Sequence, residues 1–217
     1  MALEPAAHLF RPPALVLGML GGIASGKSEV ARAFAGTRGE VIEADRIAHE
    51  VLESPPLRSW IAARFGPELT AGQGVDRAAL GARVFADPAA RAELEARVHP
   101  QVRLAIESRI AAARARHASP IVLDIPLLLE SDAAQHWTAL CDALVFVDAD
   151  AKVREARATA RRGWPPGELA RRESIQLPLD LKRARADVVI ENDGDLDALS
   201  GRVAEALLTL EARRKPR

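Results

Sequence analysis

The stretch Gly21-Gly22-Ile23-Ala24-Ser25-Gly26-Lys27-Ser28 decides how the rest of the chain is read. It has the form G-x-x-x-x-G-K-[ST], a loop that wraps phosphate groups. Its glycines let the backbone fold tightly and turn amides toward phosphate oxygens. A helix starting near Gly26 adds the positive end of its dipole. Lys27 can reach the β- and γ-phosphates of a nucleoside triphosphate, and the Ser28 hydroxyl can ligate Mg²⁺. Such a loop needs a strand before it and a helix after it. Both are written here, as the apolar run Leu15–Leu20 and the helical pattern Gly26–Ala35.

Outward from the loop, four more apolar runs of strand length recur: Glu40–Ala44, Ile121–Ile125, Ala143–Asp148 and Asp187–Glu191. Continuous runs, rather than alternation, suit strands buried on both faces of a parallel sheet. Helical patterns lie between them, at Arg46–Leu52, over about 150–162 and through Leu196–Glu211. A long one follows Pro88, with Leu94, Val98, Val102, Ile106 and Ile110 every four residues. Pro100 is expected to kink or break it. The alternation predicts an α/β fold around a five-stranded, mostly parallel sheet. About 76 residues separate the second strand from the third. That is far more than a βαβ crossover needs. Residues 46–118 are therefore expected to form a helical insertion, and 155–178, with Gly-Trp-Pro-Pro-Gly, a short lid. The core then comprises 14–45, 119–154 and 179–217, one domain over 14–217, with 1–13 an N-terminal extension.

Composition narrows the function classes. The chain has 217 residues, 30 basic and 30 acidic, and is 48% hydrophobic. That balance argues against disorder, and the absence of net positive charge against a nucleic-acid partner. Lysine stands only at 27, 152, 182 and 215, so the lysine of the loop is one of few. The lone Cys141 cannot form an internal disulfide and reads as a small buried residue. No run reaches the 18 or so apolar residues that span a membrane. Ala14–Ala24 has the length of a signal-peptide core, but Glu4, Pro5, Pro12 and Pro13 precede it without a basic cluster. The expectation is no membrane partner and a cytoplasmic location. The oligomeric state is left open.

Beyond the loop, three sets of residues carry candidate chemistry. Asp45, just past the second strand, can accept the proton of an attacking hydroxyl, hold Mg²⁺ through water, or cap the next helix. Asp124 ends the third strand, where a carboxylate can support Mg²⁺ through water or simply finish the strand. Arg157 and Arg161, four apart, share a helix face that can clamp a phosphoryl group or face solvent. His49, one turn after Asp45, can orient an acceptor or lie on the surface, and His99 can touch it or pack. Trp60, Trp137 and Trp164 read as packing, with Trp164 also able to cover a nucleotide.

Taken in order, these pieces resemble the dephospho-coenzyme A kinases. Leu17–Ser28, Glu43-Ala44-Asp45-Arg46-Ile47-Ala48-His49-Glu50-Val51 and Leu94-Glu95 with His99-Pro100-Gln101-Val102-Arg103 look like the family's opening strand and loop, its D-A-D-x-I-A-H-x-V segment and its H-P-x-V-R helix. Asp124-Ile125-Pro126-Leu127-Leu128-Leu129-Glu130 looks like its P-L-L-x-E turn, and Arg157, Arg161 and Gly163 fall on its R-x-x-x-R-x-G pattern. Gln176-Leu177-Pro178, Lys182, Ala186-Asp187, Ile190, Asn192 and Gly194 match its closing segment. The resemblance implies a P-loop kinase core that transfers a phosphoryl group from ATP, with Mg²⁺, to the ribose 3′-hydroxyl of dephospho-coenzyme A. It implies Asp45 as catalytic carboxylate, with Lys27, Arg157 and Arg161 around the transferred group. Gly21, Gly22, Ile23, Ala24, Ser25, Gly26, Lys27, Ser28 and the Glu29 amide would hold ATP, with Asn192 beside the adenine. Asp45, His49, His99 and Arg103 would face the acceptor.

Four positions depart from the family pattern. Glu43 stands for Asp, Glu29 for Thr, Leu129 for Phe and Arg162 for an acidic residue. The rival readings are a kinase for a nucleoside monophosphate or sugar, a nucleotide-binding switch, and a kinase-like scaffold without activity. No N-K-x-D string supports a guanine switch, and Lys27, Ser28 and Asp45 are all intact.

Overall fold

The computed structural model describes residues 14–194 and 196–213; the expected extension at 1–13 lies outside them. Five strands form the sheet: β1 Val16–Gly21, β2 Glu40–Glu43, β3 Ile121–Asp124, β4 Ala143–Asp148 and β5 Val188–Glu191. Their order is β2-β3-β1-β4-β5, and every pairing is parallel, not merely most. The helices are α1 Lys27–Ala35, α2 Ala44–Leu52, α3 Pro55–Phe65, α4 Arg77–Ala86, α5 Pro88–Ala115, α6 Asp132–Gln135, α7 Ala151–Arg162, α8 Glu168–Glu173, α9 Leu179–Ala184 and α10 Leu196–Arg213. Among the described residues, no helix is long and apolar enough to cross a membrane.

The apolar runs are continuous because both sheet faces are covered. Along β1, Leu17 and Met19 enter one core with Val30 and Phe34 of α1 and Leu199 and Val203 of α10. Val16 and Leu20 point the other way, into a second core. This follows from the two-residue period of a strand. The second core is the larger. It runs from Ile42, Ile121 and Leu123 of the sheet through Ile47, Ile61, Ile106 and Ile110 of α2, α3 and α5. The helices between β2 and β3 thus share a core with the sheet, which fixes α2 against the strand ends.

Of the two outcomes expected at Pro100, a kink or a break, the break does not occur: α5 runs unbroken from Pro88 to Ala115. An interior proline costs about 3 kcal/mol. Val98, Val102, Ile106 and Ile110 are all buried on that helix, and each such side chain is worth about 1.5–3 kcal/mol. Packing therefore outweighs the proline. The Gln101 side-chain amide also donates to the Arg97 carbonyl at 3.0 Å, beside the ring. Pro100→Ala is expected to raise the unfolding free energy by about 1–3 kcal/mol, read from the denaturant midpoint. An unchanged midpoint would mean that the ring's packing near Trp60 is worth as much as the helix gains.

Cys141 lies against Gly18, and its thiol donates to the Trp137 carbonyl at 3.5 Å. Burial pushes the thiol up to about 12, with Asp132 and Asp142 adding to it. The folded chain is expected to leave the thiol unmodified by iodoacetamide at pH 8 over an hour, and to react fully in guanidinium. Rapid alkylation of the folded chain would overturn that placement.

Candidate active site

The parallel register brings the acidic strand ends to one edge. Glu43 stands opposite Asp124, and Gly21 opposite Val147. This carboxyl edge is where open α/β sheets bind ligands. A cavity of about 620 Å³ opens there, within the usual range for a small-molecule site. The residues Gly21 and Ile23–Glu29, Glu43, Asp45, Asp124, Arg157 and Arg161 all line it.

The loop is shaped for anions. Gly26 sits at φ 90° and Gly21 at φ 146°, where a Cβ would stand 2.6 Å from the Val147 carbonyl. No side chain caps α1. Among the described residues, the amides of Ala24, Gly26, Lys27 and Ser28 make no hydrogen bond, while Ser25 N–H donates to the Gly22 carbonyl. Four amides at a helix N-terminus are thus left for an anion. The Lys27 ammonium donates to the Gly21 and Gly22 carbonyls at 3.1 and 3.0 Å. Burial pushes it below the ordinary lysine range; Asp124 opposes this, and Lys182 and Arg162 reinforce it. A phosphate beside it would favour the charged form.

The Ser28 hydroxyl donates to Asp124 Oδ2 at 2.7 Å. These are two hard oxygen donors side by side at the cavity floor. They suit Mg²⁺, which keeps several waters and takes few protein ligands. No cluster of three or more metal-ligating side chains occurs among the described residues.

Asp45 is the second residue of α2, because β2 ends at Glu43 and Ala44 already opens the helix. Glu43 holds the N-cap position, so the capping reading of Asp45 does not apply. Asp45 is exposed to the cavity and makes no hydrogen bond or ion pair among the described residues. On the far wall, Arg157 donates to the Ser25 and Asn192 carbonyls at 3.3 and 2.9 Å. Arg161 makes no such bond among the described residues and is open to the cavity. The shared face expected for the two arginines is present, yet one is anchored and the other free.

Asn192 is buried behind the loop rather than on the cavity wall, and its amide donates to the Ser25 carbonyl at 2.8 Å. His49 is exposed on α2 but does not line the cavity. His99 Nδ1 lies 3.1 Å from the Gln135 amide. Arg103 donates to the Gln135 and His136 carbonyls. These two residues of α5 brace α6 and also stand off the cavity. Trp164 lies on the cavity wall between the Arg162 and Arg172 guanidinium groups, 4.9 and 4.4 Å from its ring. Trp137 packs in the core, and Trp60, half-buried, packs against it and edge-on to Phe65.

Spacing gave no role to several residues that the fold brings in. Lys182 is buried on the cavity wall, where its ammonium lies 2.6 Å from Glu130 and donates to the Gln176 side-chain Oε1 at 3.1 Å. The rarity of lysine was the available signal. Arg154 and Glu173 form an ion pair against the loop. In a chain this rich in arginine nothing marked them, because the partners are 19 residues apart on separate helices.

The family model for dephospho-CoA kinases matches residues 15–198. A dephospho-CoA kinase of Thermobifida fusca is 39% identical over 201 residues, 92% of this chain and 98% of that protein. A crystal structure of TT1252 from Thermus thermophilus superposes with a TM-score of 0.74 at 33% identity, over 91% of this chain and 97% of that one. The dephospho-CoA kinase of Campylobacter jejuni has the same fold, with a TM-score of 0.63 at 20% identity over 90% and 96% of the two chains.

Proposed function

This chain belongs to the dephospho-CoA kinase family, and from that premise we propose how its cavity carries out the reaction. The enzyme is a transferase that uses ATP to phosphorylate dephospho-CoA, the last step of coenzyme A synthesis. Our finer reading is that the acceptor is the ribose 3′-hydroxyl. The observation that carries it is the pairing of four unbonded loop amides with an unpartnered carboxylate, Asp45, in one cavity.

The ATP phosphates lie in Gly21–Ser28, taken up by the amides of Ala24, Gly26, Lys27 and Ser28. The Glu29 amide donates to the Gly26 carbonyl at 2.9 Å, so Glu29 serves by closing the first turn rather than by binding phosphate. Lys27 leaves the loop carbonyls for the phosphate oxygens. Asp45 accepts the proton of the acceptor hydroxyl as its oxygen attacks the terminal phosphorus in line and ADP departs. Arg161 meets the charge that develops on the transferred group. Arg157 and Asn192 hold the Ser25 carbonyl, and so shape the loop beside the nucleotide. Ser28 and Asp124 would hold Mg²⁺, which supplies neutralisation of phosphate charge when bound. On the acceptor side, His49 stands one turn from Asp45, and His99 and Arg103 act by bracing α6. We assign the reaction to the cytoplasm, where ATP is at hand.

The test is coupled ADP release with dephospho-CoA, AMP, CMP, shikimate, gluconate and no acceptor, with mass detection of product. A product heavier by one phosphoryl group with dephospho-CoA alone is expected. Turnover with another acceptor would keep the fold and overturn the acceptor assignment. Tandem mass spectrometry of the product then locates the phosphate; a position other than the 3′-oxygen would overturn the finer reading.

A further inference from the structure

We propose that Arg154 and Glu173 are positioning residues for the transfer, clamping Ile23 and so setting which loop amides are left for ATP. The proposal deepens the reading of this loop as the ATP site and rests on it. Arg154, only 6% exposed, projects from α7, where its Nε donates to the Ala149 carbonyl at 3.1 Å. Its Nη1 donates to the Ile23 carbonyl at 3.4 Å and to the Glu173 carboxylate. Glu173 Oε1, at the end of α8, also accepts from the Ile23 amide at 2.9 Å. One ion pair thus holds both the N–H and the C=O of a single loop residue.

Gly22 supports the same assignment independently. It is a free position in the motif, so phosphate binding does not require glycine there. A Cβ at Gly22 would stand 2.7 Å from Arg154 Nη1 and 2.9 Å from Glu173 Oε1. Glycine is what lets the ion pair lie directly on the loop. The chemistry also explains why the two charges come together. A lone carboxylate in an anion-binding loop would repel phosphate. A lone buried guanidinium would be left uncompensated. Paired, they tie off the Ile23 amide and leave those of Ala24, Gly26, Lys27 and Ser28 free. The pair also fastens α8, which belongs to the expected lid, to the loop it would cover.

The decisive variant replaces both partners, Arg154→Met with Glu173→Met, because a buried ion pair exchanged for apolar side chains of similar volume generally leaves a folded protein. The KM for ATP and the Kd for ADP are expected to rise about tenfold, the scale of one lost hydrogen bond to a charged group. The KM for dephospho-CoA stays within about twofold, and the melting temperature within a few degrees. Glu173→Gln, which keeps an oxygen for the Ile23 amide, restores ATP KM to within about threefold of the parent. If the double variant does not fold, Arg154→Lys, which keeps a cation for Glu173 but loses the guanidinium bonds to the Ala149 and Ile23 carbonyls, reads the same selective rise in ATP KM. Parent-like ATP and ADP values in a folded double variant would overturn the clamp, as would equal rises in both KM values. A parent chain that binds no ADP would instead overturn the ATP reading of the loop.

Discussion

Lys27→Ala lowers kcat by on the order of 10²-fold or more, the usual loss when one group that stabilises transition-state charge is removed. The reason lies in how this ammonium is held. It is half-buried, it leans on two loop carbonyls at 3.0 and 3.1 Å, and desolvation is the main cause of its lowered proton affinity. Such a cation is already partly desolvated and positioned when a phosphate arrives. It opens α1, where alanine is an excellent helix former, so the fold should survive the change. Steady-state rates with saturating ATP and dephospho-CoA, beside a thermal melt, check this. A loss under about fivefold in a folded variant would remove Lys27 from the transfer step.

Asp45→Asn is the second large effect, with kcat expected to fall 10²- to 10⁴-fold, the usual worth of a positioned general base. Asparagine keeps the shape and loses the ability to take the hydroxyl proton. A carboxylate with no partner among the described residues, exposed to the cavity, suits that task. The Mg²⁺ dependence separates this role from its rival. A base leaves the Mg²⁺ concentration for half-maximal rate unchanged, whereas a residue holding the ion through water would raise it tenfold or more. A fall in kcat of less than about threefold would end the general-base assignment.

The phosphate loop and the strands around it were legible because their signals are local. A glycine pattern between an apolar run and a helical one has few other meanings, and β4 occupies Ala143–Asp148 as the run predicts. What failed or stayed open depended on neighbours distant in sequence. Pro100 looked like a helix breaker until the buried face of α5 was counted against it. Asp45 could be read as a cap because the end of β2 cannot be fixed to one residue from an apolar run. Arg157 and Arg161 were equivalent on a helical wheel. They differ because the carbonyls of Ser25 and Asn192 come within reach of only one.

By itself, the sequence determined the phosphate loop, the parallel α/β class and the helical segment between β2 and β3, since backbone propensity and hydrophobic period are carried by adjacent residues. The tertiary structure alone decided the strand order, which puts β3 between β2 and β1 and β1 between β3 and β4, and so sets Glu43 beside Asp124 and Gly21 beside Val147 at one edge. It alone decided that Asp45 is free, that Asn192 lies behind the loop, and that Arg154 meets Glu173 on Gly22. Those outcomes are set by which charged groups become neighbours when two helices pack on a loop, and no pattern within either helix encodes the other's position.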